Sequence, residues 1–239
     1  MSANSRSKVN HLGRDVTHYI PAFDVVPGVF KLSERDLAIW AQAKEFLRTR
    51  DNDAHSLYAY GIAQALLSQI PEAHEGVVLP AILLHDTGWS TVDERENLEA
   101  IAPGKDGSRE HLVIKHEKEG ARIAKEILQN VGLPNSDIIQ ILEIIDGHDS
   151  RLTALNINDA IVKDADKIWR VTPHGRRVVK DWFGLDDRES LLLCGYRAYN
   201  EVFTSQGKAM SRVLMSIACI DLSMQISEIY TRNGDKNSG

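Results

Sequence analysis

The sequence is poor in the features that mark secreted and membrane-spanning proteins. Only two of its 239 residues are cysteines, Cys194 and Cys219, and both stand in apolar, helix-like surroundings rather than at paired spacings. They indicate buried thiols in a reducing compartment and not a disulfide framework. The N-terminus has no apolar segment of the kind found in signal peptides, and no later hydrophobic run is long enough to span a bilayer. These absences predict a cytoplasmic protein that does not engage a membrane.

Positive charge is scarce as well. The chain has 28 Lys and Arg residues against 34 Asp and Glu residues, which gives a net charge of −6 and a pI of about 5.8. This balance argues against the broad basic surface of a protein that binds a nucleic-acid polymer. A small anionic substrate would therefore have to be held by local positive charge, supplied by a metal or by a few Arg and Lys side chains.

The alternation of apolar and polar residues that is typical of β-strands is nearly absent. Residues 1–32 are polar and then interrupted by prolines, which predicts an extended arm that lies on the domain. From Ser33 onward, apolar residues recur every three or four positions, and Ser33 is expected to cap the first helix. We therefore predict an all-α, single-domain helical bundle over residues 33–232, with a core motif region at 33–170 and C-terminal helices at 173–231.

One apolar stretch, LPAILLHDTGW, ends abruptly in His85 and Asp86. The aliphatic run predicts a buried helix, and Gly88 predicts that the helix ends and the chain turns away sharply. Residues 90–108 are polar and contain glycine and proline, which predicts a long loop of the kind that often carries function. From about Pro173 the pattern predicts two or three further helices.

Six residues are candidate metal ligands because of where they fall on the predicted helices. Four of the nine histidines stand at helix ends or within an amphipathic helix, each roughly 30 residues from the next, which is about one helical hairpin. Antiparallel helices of similar length bring such groups to one level inside a bundle, and bundles build metal sites in this way. Two aspartates accompany them in otherwise apolar segments. The candidate ligands are His55, His85, Asp86, His116, His148 and Asp166.

The chemistry of these residue types suits cations. Neutral imidazole is a good ligand for zinc, iron, manganese or nickel, and a carboxylate can bridge two cations. A carboxylate buried without a partner is costly, so Asp86 and Asp166 need compensation, which a metal supplies. Taken alone, His116 is better interpreted as a packed side chain, and His148 also fits a charge at a helix C-terminus. The order His…His-Asp…His…His…Asp in an all-helical chain is much more specific.

These residues resemble the signature of the HD-domain superfamily of metal-dependent phosphohydrolases, over roughly residues 33–170. The signature of a His, a His-Asp doublet and an Asp matches residues 55, 85–86 and 166, the last within an Ala-Asp-Lys-Ile sequence. His116 and His148 match the two extra histidines of dinuclear members.

The resemblance extends to one helix but departs from one subfamily. The stretch KHEKEGARIAKEIL is similar to the His-x-x-x-Gly helix of HD-GYP phosphodiesterases and related HD hydrolases. In that subfamily the doublet continues as HDIGK, whereas here it continues as HDTGW, and no Gly-Tyr-Pro element follows His148. A cyclic dinucleotide phosphodiesterase is therefore disfavoured.

The resemblance implies two divalent transition-metal ions, with iron or manganese expected first and nickel, cobalt or zinc as alternatives. The ligands of one ion would be His55, His85, Asp86 and Asp166. Asp86 would bridge to the second ion, which His116 and His148 would complete.

The same comparison suggests further roles around the metals. Asp86 and Asp164 are the expected catalytic carboxylates, Asp164 as a group that orients a ligand or a water molecule. The basic residues nearest in sequence to the ligands, Arg151, Lys167 and Arg170, are candidates to contact phosphate. Each of these three, taken alone, fits a surface charge or a salt bridge better.

We therefore expect a hydrolase that acts on a phosphate ester or nucleotide through a metal-activated water. HD-like dinuclear iron oxygenases use a similar ligand set, so an oxygenase acting on a small polar or phosphonate substrate is the alternative. A non-catalytic signalling module is disfavoured because every ligand position is filled. The identity of the metals, the substrate and any homo-oligomer are left open by the sequence.

Overall fold

The computed structural model describes residues 8–102 and 109–236, with side chains described as far as residue 230. The chain separates into two compact units, residues 1–31 and 32–239. In the described part of the first unit, an isolated antiparallel bridge joins Val9 to Asp15, and two short 3-10 turns follow. The arm and domain boundaries at residues 32/33 and 232 stay predictions.

The second unit is helical, and no β-strand occurs among the residues that the structure describes, so the predicted all-α class is confirmed. As predicted, Ser33 caps the first helix, because its hydroxyl accepts a 3.1 Å hydrogen bond from the amide of Asp36. The helices are α1 Glu34–Ala43, α2 Asn52–Leu67, α3 Glu75–Leu84, α4 Glu94–Ile101, α5 Glu110–Val131, α6 Asn135–Ile145, α7 Ile157–Trp169, α8 Pro173–Phe183, α9 Asp187–Glu201, α10 Ser205–Asp221 and α11 Met224–Lys236.

Helix α3 lies at the centre of the core. It is apolar on all sides, and every residue from Val77 to Leu84 is buried. A helix without a polar face is stable only when other elements surround it, and α1, α2, α6 and α7 all pack against α3. Because α3 ends at Leu84, the next two residues, His85 and Asp86, emerge inside the protein rather than at its surface.

The segment after α3 differs from the prediction of a long loop. Its described part forms a 3-10 turn, Thr87–Thr91, and helix α4. The Asp93 side chain caps α4 by accepting a hydrogen bond from the Arg95 amide at 3.0 Å. A small apolar cluster made of Trp89, Val92, Ala100, Leu112 and Val113 covers the inner face of this segment, and this burial outweighs its polar composition. Residues 103–108 lie outside the described residues.

Gly88 is needed for close packing, not for the sharp turn predicted from the sequence. It lies inside the 3-10 turn, and a Cβ atom at this position would overlap the carbonyl oxygen of His116 and lie 2.5 Å from the amide nitrogen of Gly120. The turn that follows the His85-Asp86 doublet therefore packs backbone to backbone against α5. Glycine at both positions permits that approach.

The C-terminal region contains four helices, α8 to α11, rather than two or three. A break at Leu222 separates α10 from α11, and the hydroxyl of Ser223 accepts a 3.3 Å hydrogen bond from the Ile226 amide at the start of α11. Among the described residues, no single helix has the length and apolar character needed to cross a membrane. Within the same described residues, α10 and residues Met224–Tyr230 together have the length and composition of a membrane-spanning segment, but the pair is bent by 52°.

Candidate metal centre

The six predicted ligands come from five parts of the fold and are all buried. The first turn of α2 carries His55, the end of α3 carries the His85-Asp86 doublet, and α5 carries His116. The remaining two are His148, in the turn after α6, and Asp166, in α7. The structure brings these six side chains together in two adjoining groups that share Asp86.

The first group is made of His55, His85, Asp86 and Asp166. The Nε2 atoms of His55 and His85 lie 3.0 Å apart. The Nε2 atom of His55 is also 3.5 Å from Oδ2 of Asp86 and 3.4 Å from Oδ1 of Asp166. His85 Nε2 is 3.6 Å from Oδ1 of Asp86 and 3.9 Å from Oδ1 of Asp166.

The second group is made of Asp86, His116 and His148. The two histidine Nε2 atoms lie 3.4 Å apart, and Nε2 of His148 is 3.6 Å from Oδ1 of Asp86. Asp86 therefore directs Oδ2 towards the first group and presents Oδ1 to both, since that atom is equally distant from His85 and His148. This is the placement expected of a carboxylate that bridges two cations.

Hydrogen bonds to the backbone set the orientation of two of the imidazoles. His85 Nδ1 donates to the carbonyl of Ile82 at 2.8 Å, and His148 Nδ1 donates to the carbonyl of Ile145 at 2.9 Å. Both carbonyls belong to the last turn of a helix, where they have no partner within the helix. Because Nδ1 makes the backbone hydrogen bond, the Nε2 atom of each ring is directed into the centre, as in metal-binding histidines.

The spacing of these atoms fits a cation better than direct hydrogen bonds. Ligand atoms at about 2.0–2.2 Å from a tetrahedral ion are separated from each other by roughly 3.3–3.6 Å. The N···N and N···O distances of 3.0–3.9 Å within the two groups bracket that value, and most exceed hydrogen-bond length. The residues present therefore fit a pair of divalent ions.

The electrostatic environment favours protonation states that bind cations. Burial lowers the pKa of His116 to about 3 and also lowers the pKa of His85, so both rings are neutral near pH 7. Burial opposes ionisation of Asp86, but the neighbouring His85 and His148 hold its pKa below the ordinary range. Burial likewise opposes ionisation of Asp166, and Lys167 holds its pKa well below normal. Two neutral imidazoles and two ionised carboxylates are thus already in their ligand forms.

His148 behaves differently from the other histidines. Burial acts to lower its pKa, but the carboxylates of Asp149 and Asp86 outweigh that effect and raise the pKa to about 9. Without a cation, the ring therefore carries a proton near pH 7, which balances part of the local negative charge. A cation bound at this position would replace that proton.

Asp149 is a further carboxylate at the centre that sequence reasoning missed. Its Oδ2 atom lies 3.7 Å from Nε2 of both His116 and His148. Its Oδ1 atom accepts a 2.8 Å hydrogen bond from Nζ of Lys167, which also donates to Oδ2 of Asp166 at 2.6 Å. The signal for it was available, because His148-Asp149 is a second His-Asp doublet at the end of a helix.

The turn that carries His148 and Asp149 is held from both sides. On one side, the buried Glu117 carboxylate accepts hydrogen bonds from the amides of Asp149 and Ser150 and from the hydroxyl of Ser150, at 2.7–2.8 Å. On the other, Nζ of Lys163 donates to the carbonyls of Gly147, His148 and Arg151 at 2.7–2.9 Å. Such outer contacts fix the orientation of ligands.

Asp164, predicted as a catalytic carboxylate, is placed elsewhere. One of its oxygens accepts from the amide of Phe203 at 2.6 Å, and the other accepts from the amide and hydroxyl of Thr204 at 2.9 and 2.6 Å. Residues two apart on a helix point in nearly opposite directions, so Asp164 faces α10 when Asp166 faces the ligands. The prediction of a water-orienting role is therefore corrected to a structural one at the start of α10.

The three predicted phosphate-binding residues are placed differently from one another. The guanidinium of Arg151 pairs with Asp159 at 3.0 Å and donates to the carbonyls of Glu143 and Asp146, so it joins α6 to α7 rather than offering free donors. Lys167 lies between Asp149 and Asp166. Two cavities border the centre, a small one beside His55 and a larger one beside His148, and Arg170 lines both. Its nearest ion-pair contact, to Glu201, is 3.9 Å.

The positively charged side chain of Arg50 also lies at the centre, and it was not predicted. It lies in the 3-10 turn before α2, is buried, and places its guanidinium carbon 4.8 Å from the ring centre of Trp89 and 5.3 Å from that of Trp182. Trp89 in turn stacks on His116 with ring centres 3.8 Å apart. The sequence around Arg50 is uniformly charged and polar, so nothing in its pattern distinguishes this arginine from its neighbours.

The fold and the ligand arrangement together define an all-α domain built around a candidate dinuclear metal centre. The family model described as HD domain matches residues 52–170, a span that includes all six candidate ligands. This chain therefore carries an HD domain, and the resemblance drawn from its sequence is confirmed. Neither the curated proteins nor the solved structures gave a match to the chain. The HD domain and the two His/Asp groups point to the superfamily of metal-dependent hydrolases and to divalent cations.

Proposed function

We propose that this protein is a metal-dependent phosphohydrolase that acts on a small anionic phosphate ester or nucleotide. The observation that carries the proposal is the position of Asp86, whose oxygens lie within 3.6 Å of histidines from both ligand groups. A carboxylate shared between two groups of imidazoles suits a pair of divalent ions, with iron or manganese proposed first and nickel, cobalt or zinc as alternatives.

Two divalent ions held there would acidify a water molecule towards neutrality and neutralise charge on the phosphoryl oxygens. In the reaction, the water oxygen forms a bond to phosphorus, the ester P–O bond breaks, and the alcohol leaves with a proton. The basic side chains of the protein contribute to charge balance. Lys167 is held beside Asp166, and Lys167 and Arg170 both line a cavity that borders the centre. Their positive charge favours an anionic substrate next to the carboxylates.

The decisive measurement is elemental analysis of protein purified without added metal, followed by assays against phosphate monoesters, diesters and nucleotides. Asp86→Ala should lose metal and activity while the circular dichroism spectrum of the helices is retained. The matched control is Asp181→Ala, an exposed carboxylate on α8, which should change neither. His116→Ala should reduce the bound metal from two ions per chain to one. Full activity in Asp86→Ala, or wild-type protein that binds no metal, would overturn the proposal.

The oxygenase alternative is separated by the same experiment. The six ligands would also suit a pair of iron ions, because imidazole and carboxylate both bind iron. Oxygen consumption by the iron-loaded protein, without phosphate release from any ester, would support oxygenation. Phosphate release by the manganese-, nickel- or cobalt-loaded protein under anaerobic conditions would support hydrolysis.

A further inference from the structure

A small cavity lies against the first ligand group. It has a volume of about 40 Å³, and its lining includes three of the candidate ligands, the basic side chains of Arg50 and Arg170, and several aromatic side chains such as Trp89 and Trp182. A volume of this size suits a compact group of a few heavy atoms.

Three buried nitrogen donors beside this cavity have no hydrogen-bond partner: Nε of Arg50, Nδ2 of Asn52 and Nη1 of Arg170. The residues Arg50 and Asn52 are only 9% and 2% exposed. A buried donor left unpaired destabilises the folded protein, and more so when it is charged. Three such donors around one cavity are therefore explained most simply by an acceptor that binds there.

Arg50 is held in place at a further cost to the backbone. Its φ is +55° and that of Asp51 is +58°, values in the left-handed region that residues other than glycine rarely adopt. The strain is retained where the surrounding structure imposes it, and such residues cluster at ligand sites. Among the described residues, Arg50 makes no ion pair, although Asp86 and Asp149 are near enough to influence its charge. Its guanidinium is thus not engaged by a protein carboxylate.

A second, much larger cavity also borders the centre and shares Asp149 and Arg170 with the first. It has a volume of about 530 Å³ and is bordered by His148, Asp149 and Lys167 and by apolar side chains such as Leu152 and Phe203. A space of this size accepts a small organic molecule. The centre therefore borders a small cavity, in which three unpartnered donors lie among largely apolar walls, and a large cavity with mixed lining.

We propose that Arg50, Asn52 and Arg170 form an oxyanion subsite that binds the terminal phosphoryl group of a phosphate monoester, while the organic part of the substrate occupies the larger cavity. A phosphate diester presents one non-bridging oxygen fewer to these three donors and would have to place its second organic group in the smaller cavity. This inference rests on the proposed function, because it assumes that the phosphoryl group is placed at the metal centre.

The first test measures the binding of inorganic phosphate to the metal-loaded protein by isothermal titration calorimetry. Arg50→Gln removes charge-assisted hydrogen bonds and should raise Kd on the order of tenfold or more. Arg50→Lys keeps the charge but not the planar fork and should restore binding only in part. The matched control is Arg48→Gln, which removes the same charge from an exposed side chain two residues away and should leave Kd within about twofold of wild type.

Elemental analysis of each variant shows whether both metals are retained. If Arg50→Gln loses metal or unfolds, Arg50→Lys and Asn52→Ala carry the same test, and each should weaken phosphate binding. Phosphate binding in these variants equal to that of Arg48→Gln would overturn the subsite. Full recovery in Arg50→Lys would also overturn it, because it would reduce Arg50 to a simple point charge.

The second test compares p-nitrophenyl phosphate with bis(p-nitrophenyl) phosphate. The wild type should favour the monoester, and Arg50→Gln should reduce kcat/KM for the monoester much more than for the diester. A wild-type preference for the diester would overturn the monoester assignment while supporting the proposed function. If neither ester is hydrolysed and no phosphate is released from nucleotides either, the proposed function fails, and the phosphate titration still decides whether the subsite exists.

Discussion

The carboxylate of Glu117 accepts a 2.8 Å hydrogen bond from the backbone amide of Asp149. Glu117 directly follows His116 on α5, so this contact joins the helix that carries one candidate ligand to the turn that carries another, His148. The contact couples two distant parts of the chain within the second ligand group. Positioning of this kind decides whether the ligands meet at metal-binding distance.

Replacing Glu117 with glutamine should therefore weaken the second metal site. In glutamine, an NH2 group replaces one of the two carboxylate oxygens and cannot accept a hydrogen bond from the amides of Asp149 and Ser150 or from the Ser150 hydroxyl. The turn would therefore lose at least one of its hydrogen bonds. We expect the affinity for the second cation to fall roughly 10- to 100-fold, with the first site nearly unchanged. Metal titration calorimetry measures both sites.

Glu119→Gln supplies the control for this experiment. Glu119 lies on the same helix but pairs only with Arg122 at the surface, and its loss should not alter cation binding. Equal affinities in the two variants would show that Glu117 does not position the turn.

The two groups of candidate ligands could be predicted from sequence because each residue carries its own signal. Histidine or aspartate in an apolar segment is unusual, and helical periodicity sets where such residues recur. The error at Asp164 arose because adjacency to Asp166 in sequence was taken as adjacency in space, whereas a two-residue step on a helix reverses direction. Arg50 gave no signal at all, because its role depends on a left-handed backbone and on tertiary contacts to two tryptophans.

The fold was predictable to a similar degree. The helical class follows from periodicity along the whole chain, and the cap at Ser33 follows from local hydrogen-bonding chemistry. Helix α4 was missed because most of its residues are polar and only a few, such as Asn97 and Ala100, are buried. Such a helix is stabilised by contacts with Trp89 and with α5 that no local pattern reveals.

Gly88→Ala should be strongly destabilising. Its new Cβ would overlap the backbone carbonyl of His116, so the 3-10 turn and α5 would have to separate. We expect a loss on the order of 3 kcal/mol in the free energy of unfolding, together with weaker cation binding at both groups. Chemical denaturation and metal titration measure the two effects.

Gly120→Ala tests the same contact from the other side. A Cβ at Gly120 would lie 3.2 Å from the His85 carbonyl oxygen and 3.4 Å from the Gly88 amide nitrogen, so small shifts can accommodate it. The gain in helix propensity from alanine, up to about 1 kcal/mol, offsets that cost. If Gly120→Ala destabilises the protein as much as Gly88→Ala does, direct backbone packing is not the reason for the glycine at residue 88.

Cation binding at the second group should release a proton near neutral pH. The raised pKa of His148, about 9, means that the ring of the metal-free protein is protonated at pH 7 and must lose that proton to become a ligand. Affinity for the second cation should therefore increase as pH rises and level off above about pH 9. Calorimetry in buffers of different ionisation enthalpy at pH 7 should show about one proton released.

The sign of the effect on stability follows from the same shift. A pKa raised by folding stabilises the metal-free protein below the unfolded value of about 6.5, and this contribution is lost as pH rises towards 9. His148→Gln removes the titrating group and should abolish both the proton release and this part of the pH dependence. Proton release that persists unchanged in His148→Gln would assign the proton to another residue.

Asp164 and Asp166 provide the sharpest contrast between a structural and a ligand carboxylate. In Asp164→Asn, the new NH2 group would face the donors at Phe203 and Thr204, and the free energy of unfolding should fall by about 1–3 kcal/mol. The metal content of this variant should stay at two ions per chain, because its side chain faces α10.

Asp166→Asn should instead lose cations from the first group, since an amide is a weaker ligand than a carboxylate and would not balance the ions' charge. Denaturant titration combined with elemental analysis measures both quantities in each variant. Loss of metal from Asp164→Asn with unchanged stability would show that Asp164 acts at the metal centre, because a residue that only anchors the start of α10 would not affect cation binding.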